Sequence, residues 1–182
     1  MTNLRSRCMV IGIGNPDRGD DAAGIAVARL LRNGVTAVPG LDCEPAGPSP
    51  TIIEHDGEAA ALILEFTAAE RLFVIDACIS GAPPGTVHRF DVSTAPMPAL
   101  ASGWSTHGLG LAAAVELARA LGRLPLLSVV YAIEGRSFAT GAPLTPPVAR
   151  AAAEVVRLLG AEIEGSGDLP RTGDCREVPH HG

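Results

Sequence analysis

Apolar residues in this chain come in short unbroken runs, and amphipathic stretches with helical spacing separate the runs. Residues 8–13, Cys-Met-Val-Ile-Gly-Ile, form the first run and predict a buried parallel strand. The turn formers Gly14-Asn15-Pro16-Asp17-Arg18-Gly19-Asp20 follow. A helix is expected over 21–33. Ala23, Val27, Leu30 and Leu31 make its apolar stripe, and Asn33-Gly34 ends it. Residues 35–50, rich in Pro and Gly, read as irregular. Thr51–Glu54 reads as a second strand, 58–69 as a helix, and Leu72–Ala77 as the clearest buried strand. Pro83-Pro84-Gly85 is a turn, and Thr86–Asp91 alternates as an edge strand does. No crossover helix fits between the last two runs, so they are expected to pair antiparallel. Residues 92–104 read as loop, 107–121 as a helix, Leu126–Ile133 as a buried strand, and 146–159 as a last helix opened by Pro.

The order β-α-β-α-β-β-α-β-α predicts an α/β fold. Its form is a three-layer α/β/α sandwich with a mostly parallel, twisted sheet of about five strands and one antiparallel edge strand. Residues 1–164 make a single domain on this reading. Residues 165–182 are polar, carry Gly and Pro, close on His-His-Gly, and read as a mobile tail.

Composition sharpens the picture. Only 3% of the 182 residues are aromatic against 47% apolar, so the core must be built from Ala, Val, Leu and Ile. The net charge of −6 and the lack of a Lys/Arg cluster argue against nucleic acid as a partner. The four cysteines, Cys8, Cys43, Cys78 and Cys175, form no C-x-x-C pair. Cys8 and Cys78 lie in strand-like runs and read as buried free thiols of a reducing compartment. The first apolar run is too short for a signal peptide or a membrane span, so a cytoplasmic protein without membrane insertion is expected.

In open α/β sheets ligands gather at the carboxyl ends of the strands. Asn15, Asp17, Asp20, Asp21, Glu54, His55, Asp56, Asp76 and Glu134 fall there, with Ser105, Thr106 and His107 ahead of a helix. Asp76 closes an apolar run where no helix starts, which favours function over capping. Of the acid pair, Asp20 suits a helix N-cap and Asp21 the first turn; read alone, the pair looks structural. An imidazole at a helix start, as at His107, is best kept neutral, and a neutral imidazole suits a metal. Two carboxylates and an imidazole at one sheet edge make an O,O,N set for a borderline divalent ion, without choosing among nickel, zinc, manganese and iron. The chain has no H-E-x-x-H, P-loop or G-x-S-x-G. Gly12-x-Gly14 begins like a dinucleotide fingerprint, but Asp17 stands where the next glycine is required. Cys78 reads as structural, because Asp76 nearby raises its pKa. His55, His88 and the tail histidines read as surface residues.

The segment Gly12-Ile13-Gly14-Asn15-Pro16-Asp17-Arg18-Gly19-Asp20-Asp21-Ala22-Ala23-Gly24 resembles the N-terminal signature of hydrogenase maturation proteases. Val74-Ile75-Asp76-Ala77, Ser105-Thr106-His107, Ala132-Ile133-Glu134 and Leu144-Thr145-Pro146 are similar to the later motifs of that family, in the same order. The resemblance spans about residues 8–160. It implies an endopeptidase that trims the C-terminal extension of a nickel-loaded nickel–iron hydrogenase large-subunit precursor. It implies that Asp21, Asp76 and His107 are the catalytic and metal-contacting residues. It also implies that the nickel arrives with the substrate and that no organic cofactor is needed. Two positions depart from the family pattern: Ala22 stands for a glycine, and Gly135 for the proline after Glu134. Two rival readings are a small metallohydrolase with a permanent divalent metal at the same residues, and a non-enzymatic binding module on the same fold.

Overall fold

The structure is a computed structural model that describes residues 7–34, 49–98 and 108–164. His107 and the tail 165–182 lie outside the described residues, as do 35–48 of the irregular stretch and 99–104 of the expected loop. The strands are β1 (Cys8–Ile13), β2 (Thr51–His55), β3 (Arg71–Cys78), β4 (Val87–Asp91) and β5 (Leu127–Glu134). The helices are α1 (Ala23–Arg32), α2 (Ala59–Ala68), α3 (Gly108–Ala120) and α4 (Pro146–Ile163). One short 3-10 turn, Gly19–Ala22, precedes α1.

The five strands form a single sheet in the order β2-β1-β3-β5-β4, parallel except for β4. Strand parity divides the core in two. Cys8 and Val10 of β1, Phe73, Ile75 and Ala77 of β3, and Val129, Tyr131 and Ile133 of β5 pack with α1 and α4. Met9, Ile11 and Ile13, with Leu72, Val74 and Val130, pack with α2 and α3. Both faces are covered, so β1, β3 and β5 read as continuous apolar runs, and the α/β/α sandwich is as expected.

The pairing of β4 differs from expectation. It runs antiparallel, but its hydrogen-bonded neighbour is β5 and not β3. Short spacing between β3 and β4 fixes direction and leaves adjacency open. All but the first residue of β5 is buried, whereas β4 is half exposed; the interior place therefore goes to β5 and the edge to β4.

Helix starts are fixed by different devices. Glu58 caps α2, its carboxylate accepting the amides of Ala60 and Ala61 at 2.9 and 2.8 Å. α4 opens on Pro146-Pro147, whose missing N–H groups suit a first turn. α1 starts at Ala23, later than the sequence suggests, and no side chain caps it. Asp20 is therefore not its N-cap. At its other end α4 is tied to the sheet: Arg89 of β4 forms a two-pronged pair with Glu162, 2.8 Å on each prong, and the Tyr131 hydroxyl of β5 donates to the same carboxylate.

Candidate functional site

β1 and β3 are parallel neighbours with Gly12 beside Ile75, so the chain leaves both strands side by side at the carboxyl edge. The start of α1 lies directly over this point. A Cβ on Gly12 would stand 2.1 Å from the Gly24 carbonyl oxygen, and a Cβ on Gly24 would stand 2.4 and 2.3 Å from the carbonyl oxygens of Ile13 and Ile75. Gly14 has a φ of +145°, and its Cβ would meet the Asp21 carbonyl oxygen at 1.9 Å. The Gly-x-Gly pair is thus a seat on which the helix start rests backbone to backbone.

The turn on this seat carries the acid pair, and the two acids have different work. Asp20 is fully buried. Its carboxylate accepts the amides of Arg136 and Ser137, both at 2.9 Å, the amide of Thr145 at 2.8 Å and the Thr145 hydroxyl at 3.1 Å. It holds the β5–α4 connection against the β1 turn. The backbone supports the same contact: Asp20 N–H donates to the Ser137 carbonyl at 2.7 Å. Asp20 is structural, as expected, but through a long-range clamp and not a cap. Asp21 is also fully buried, and its Oδ2 accepts the Asn15 amide at 3.2 Å. The Asn15 side chain in turn accepts the Asp17 amide at 2.9 Å, which shapes the turn.

Asp76 is the sixth residue of β3 and fully buried. It has the parity of Leu72 and Val74 and so lies on the sheet face that α2 and α3 cover. Its Oδ1 accepts the following Ala77 amide at 2.8 Å. Asp21 and Asp76 thus stand where neighbouring strands β1 and β3 end. His107 immediately precedes α3. The first turn of α3 is packed on the loop leaving β2, since a Cβ on Gly110 would meet the Gly57 carbonyl oxygen at 2.3 Å. That brings the start of α3 to the carboxyl edge of the sheet.

Sequence reasoning left the role of Glu134 open and took His88 for a surface residue. The structure gives Glu134 a clear task. It is 2% exposed at the end of β5 and faces Cys78 in register. Its carboxylate accepts the Ser80 amide at 2.9 Å, the Ser80 hydroxyl at 2.8 Å, the Gly81 amide at 2.9 Å and the Cys78 thiol at 3.3 Å. The loop leaving β3 is wrapped around it. His88 of β4 is mostly buried; its Nε2 lies 3.9 Å from Glu134 Oε2 and 3.4 Å from the Ser80 hydroxyl. The signal for this cluster is strand pairing, which a sequence alone does not show. Cys78 is a buried free thiol, as expected; burial is the main cause of its raised pKa, Glu134 comes next, and Asp76 adds the smallest push.

A three-layer α/β sandwich with buried carboxylates where its central strands end is an α/β domain of the open-sheet type. The sequence model of one family, described as hydrogenase maturation protease, matches residues 46–162. The chain belongs to the hydrogenase maturation protease family, a family of peptidases. The matched stretch holds Asp76, His107 and Glu134 and begins after the acid pair. Among solved structures, the fold is shared with hydrogenase maturating endopeptidase HybD from E. coli. That match has a TM-score of 0.67 and 22% identity, covering 88% of this chain and 94% of that one. The [NiFe] hydrogenase maturation protease HycI from Thermococcus kodakarensis is similar at a TM-score of 0.63 and 23% identity, covering 90% and 95%. HybD from the same organism gives 0.62 and 20%, covering 87% and 99%. Comparison with curated proteins finds no match. Among the described residues no helix is long and apolar enough to cross a membrane.

Proposed function

We propose that this chain is the endopeptidase that removes the C-terminal extension of a nickel-loaded nickel–iron hydrogenase large-subunit precursor, and that Asp21, Asp76 and His107 are its working residues. The observation that carries the reading is the pair of fully buried carboxylates, Asp21 and Asp76, at adjoining strand ends of a chain in this family. Carboxylates taken out of water at one edge of a sheet favour a cation there. On this reading the cation is nickel, and it belongs to the precursor. Asp21 and Asp76 offer oxygen and His107 offers nitrogen, a set that suits a borderline divalent ion. Recognition is then a check by coordination: a precursor without nickel brings nothing for the three side chains to hold.

Asp20 is left out of the working set, because its carboxylate is turned to the β5–α4 connection that it holds. The attacking water is deprotonated by whichever of Asp21 and Asp76 turns an oxygen towards it, as general bases do. The catalytic unit is residues 1–164, and its place is the cytoplasm. The test is cleavage of nickel-loaded and nickel-free precursor side by side. Cutting of the loaded form alone supports the reading. Equal cutting of both overturns it and leaves a hydrolase with a permanent metal at the same residues.

A further inference from the structure

We propose that Cys78, His88 and Glu134 form a second divalent-cation site, for a thiophilic cation of the zinc class. The three residues come from the three adjacent strands β3, β4 and β5, with the parity of the sheet face that carries Asp76. Their donor atoms, one from each side chain, all lie within 4.8 Å of one another. Cys78 Sγ is 3.3 Å and His88 Nε2 3.9 Å from Glu134 Oε2. A tetrahedral ion with bonds of about 2.0–2.3 Å holds its ligands roughly 3.3–3.8 Å apart, so small side-chain movements bring the set to bonding distance.

The donor chemistry is selective. A thiolate, an imidazole and a carboxylate together favour zinc, cobalt or nickel over calcium or magnesium, which take oxygen alone. Two anionic ligands balance a divalent charge in a place that water scarcely reaches. Binding exchanges the Cys78 Sγ–H bond for a bond from Sγ to the cation, and one proton leaves to solvent. His88, with 18% of its side chain exposed, is the open side; a water or the Ser80 hydroxyl is the fourth ligand there. Loop bracing explains Glu134 without a cation, since Ser80 and Gly81 supply ample donors. It does not account for His88, whose Nε2 stands 3.9 Å from the same carboxylate, beyond hydrogen-bond reach, with the Cys78 thiol on the same group.

This site shares no ligand with the proposed nickel contact, although Cys78 follows Asp76 by two residues on the same sheet face, and its test separates the two. Cobalt(II) is added to the full-length chain carrying Cys43→Ser and Cys175→Ser, which leaves Cys78 and the distant Cys8 as thiols. The expected result is a near-ultraviolet thiolate-to-cobalt absorption band that equimolar zinc abolishes. The band should disappear in Cys78→Ala, need at least about tenfold more cobalt in His88→Gln, and persist in Asp21→Asn. His88→Gln, on the half-open side, decides the matter if Cys78→Ala does not fold. Absence of the band in the parent chain, or a band unchanged in either variant, overturns the proposal.

Discussion

The buried carboxylate of Asp20 accepts both the amide and the hydroxyl of Thr145, at 2.8 and 3.1 Å, across 125 positions of sequence. Thr145 is the residue that opens α4, yet its hydroxyl serves Asp20 and not its own helix. The two ends of the domain are therefore joined at the carboxyl edge, under the turn that carries Asp21.

Replacing Asp20 with Ala strands four donors in a dry place. Hydrogen bonds to a charged partner are worth about 1.5–3 kcal/mol each, and the loop can recover part of them from water. We expect a loss of about 3 kcal/mol, which in a chain of this size lowers the melting temperature by roughly 6–12 °C. Asp20→Asn should cost about half as much, because one oxygen is kept while an NH2 faces donors. Calorimetry decides; a melting temperature within about 2 °C of the parent in Asp20→Ala would remove the clamp from the account.

Two glycines make opposite predictions under the same substitution. Gly12→Ala drives a methyl to 2.1 Å from the Gly24 carbonyl oxygen and 2.9 Å from the Ala28 Cβ, with nothing flexible to give way. Such overpacking costs about 1–3 kcal/mol or more. Gly160→Ala, on α4 with nothing within 4 Å of the new methyl, should gain about 0.5–1 kcal/mol from helix propensity. Denaturant titration of both variants checks the pair; equal effects would contradict the packing described for β1 and α1.

Asp21→Asn, Asp76→Asn and His107→Ala should each lose cleavage of nickel-loaded precursor by at least about a hundredfold, the usual weight of a proton-transferring or charge-holding group. The Asn variants keep volume and should keep the native circular dichroism spectrum. A folded Asp76→Asn protein that cuts at the parental rate would exclude Asp76 from the chemistry.

The thiols give a chemical test. Burial pushes Cys8 and Cys78 above the usual thiol range, and Glu134 adds to it at Cys78. A raised pKa means that both remain protonated at pH 8, and the thiolate is the form that alkylates. Iodoacetamide at pH 8 should leave both unmodified in the native protein and label both in guanidinium, as peptide mass spectrometry will show. Rapid native labelling of Cys78 would contradict its burial.

Much of this was legible along the chain, for local reasons. The runs at 8–13 and 72–77, and 128–133 of the third run, are apolar because both faces of β1, β3 and β5 are covered; Leu126, read as the start of a buried strand, lies outside β5 and is 97% exposed. The strand-end rule gathered the acid pair, Asp76 and His107, and family resemblance singled out Asp21, Asp76 and His107; the described structure places the turn of Asp21 and the end of β3 with Asp76 at neighbouring strands, and His107 is outside it. What local reading missed depends on distant partners. Asp20 looks like a cap from its own neighbourhood, and its donors sit at 136–145. Glu134 and His88 acquire neighbours only once β5 lies between β3 and β4. Asp17 rules out a nucleotide loop from the sequence alone, but what the glycines of the first motif are for shows only when Gly24 is seen resting on Gly12.

The place of β5 has a consequence for how the chain is made. β3 and β4 leave the ribosome first, and neither is the native neighbour of the other. Both wait with bare edges until Leu127–Glu134 has been synthesised and slides between them. A chain interrupted before that point has two unmatched strand edges and an incomplete core, the condition in which nascent polypeptides associate with one another. Folding is therefore completed late in translation, and the carboxyl edge of the sheet, clamp included, is finished only once Thr145 has been added.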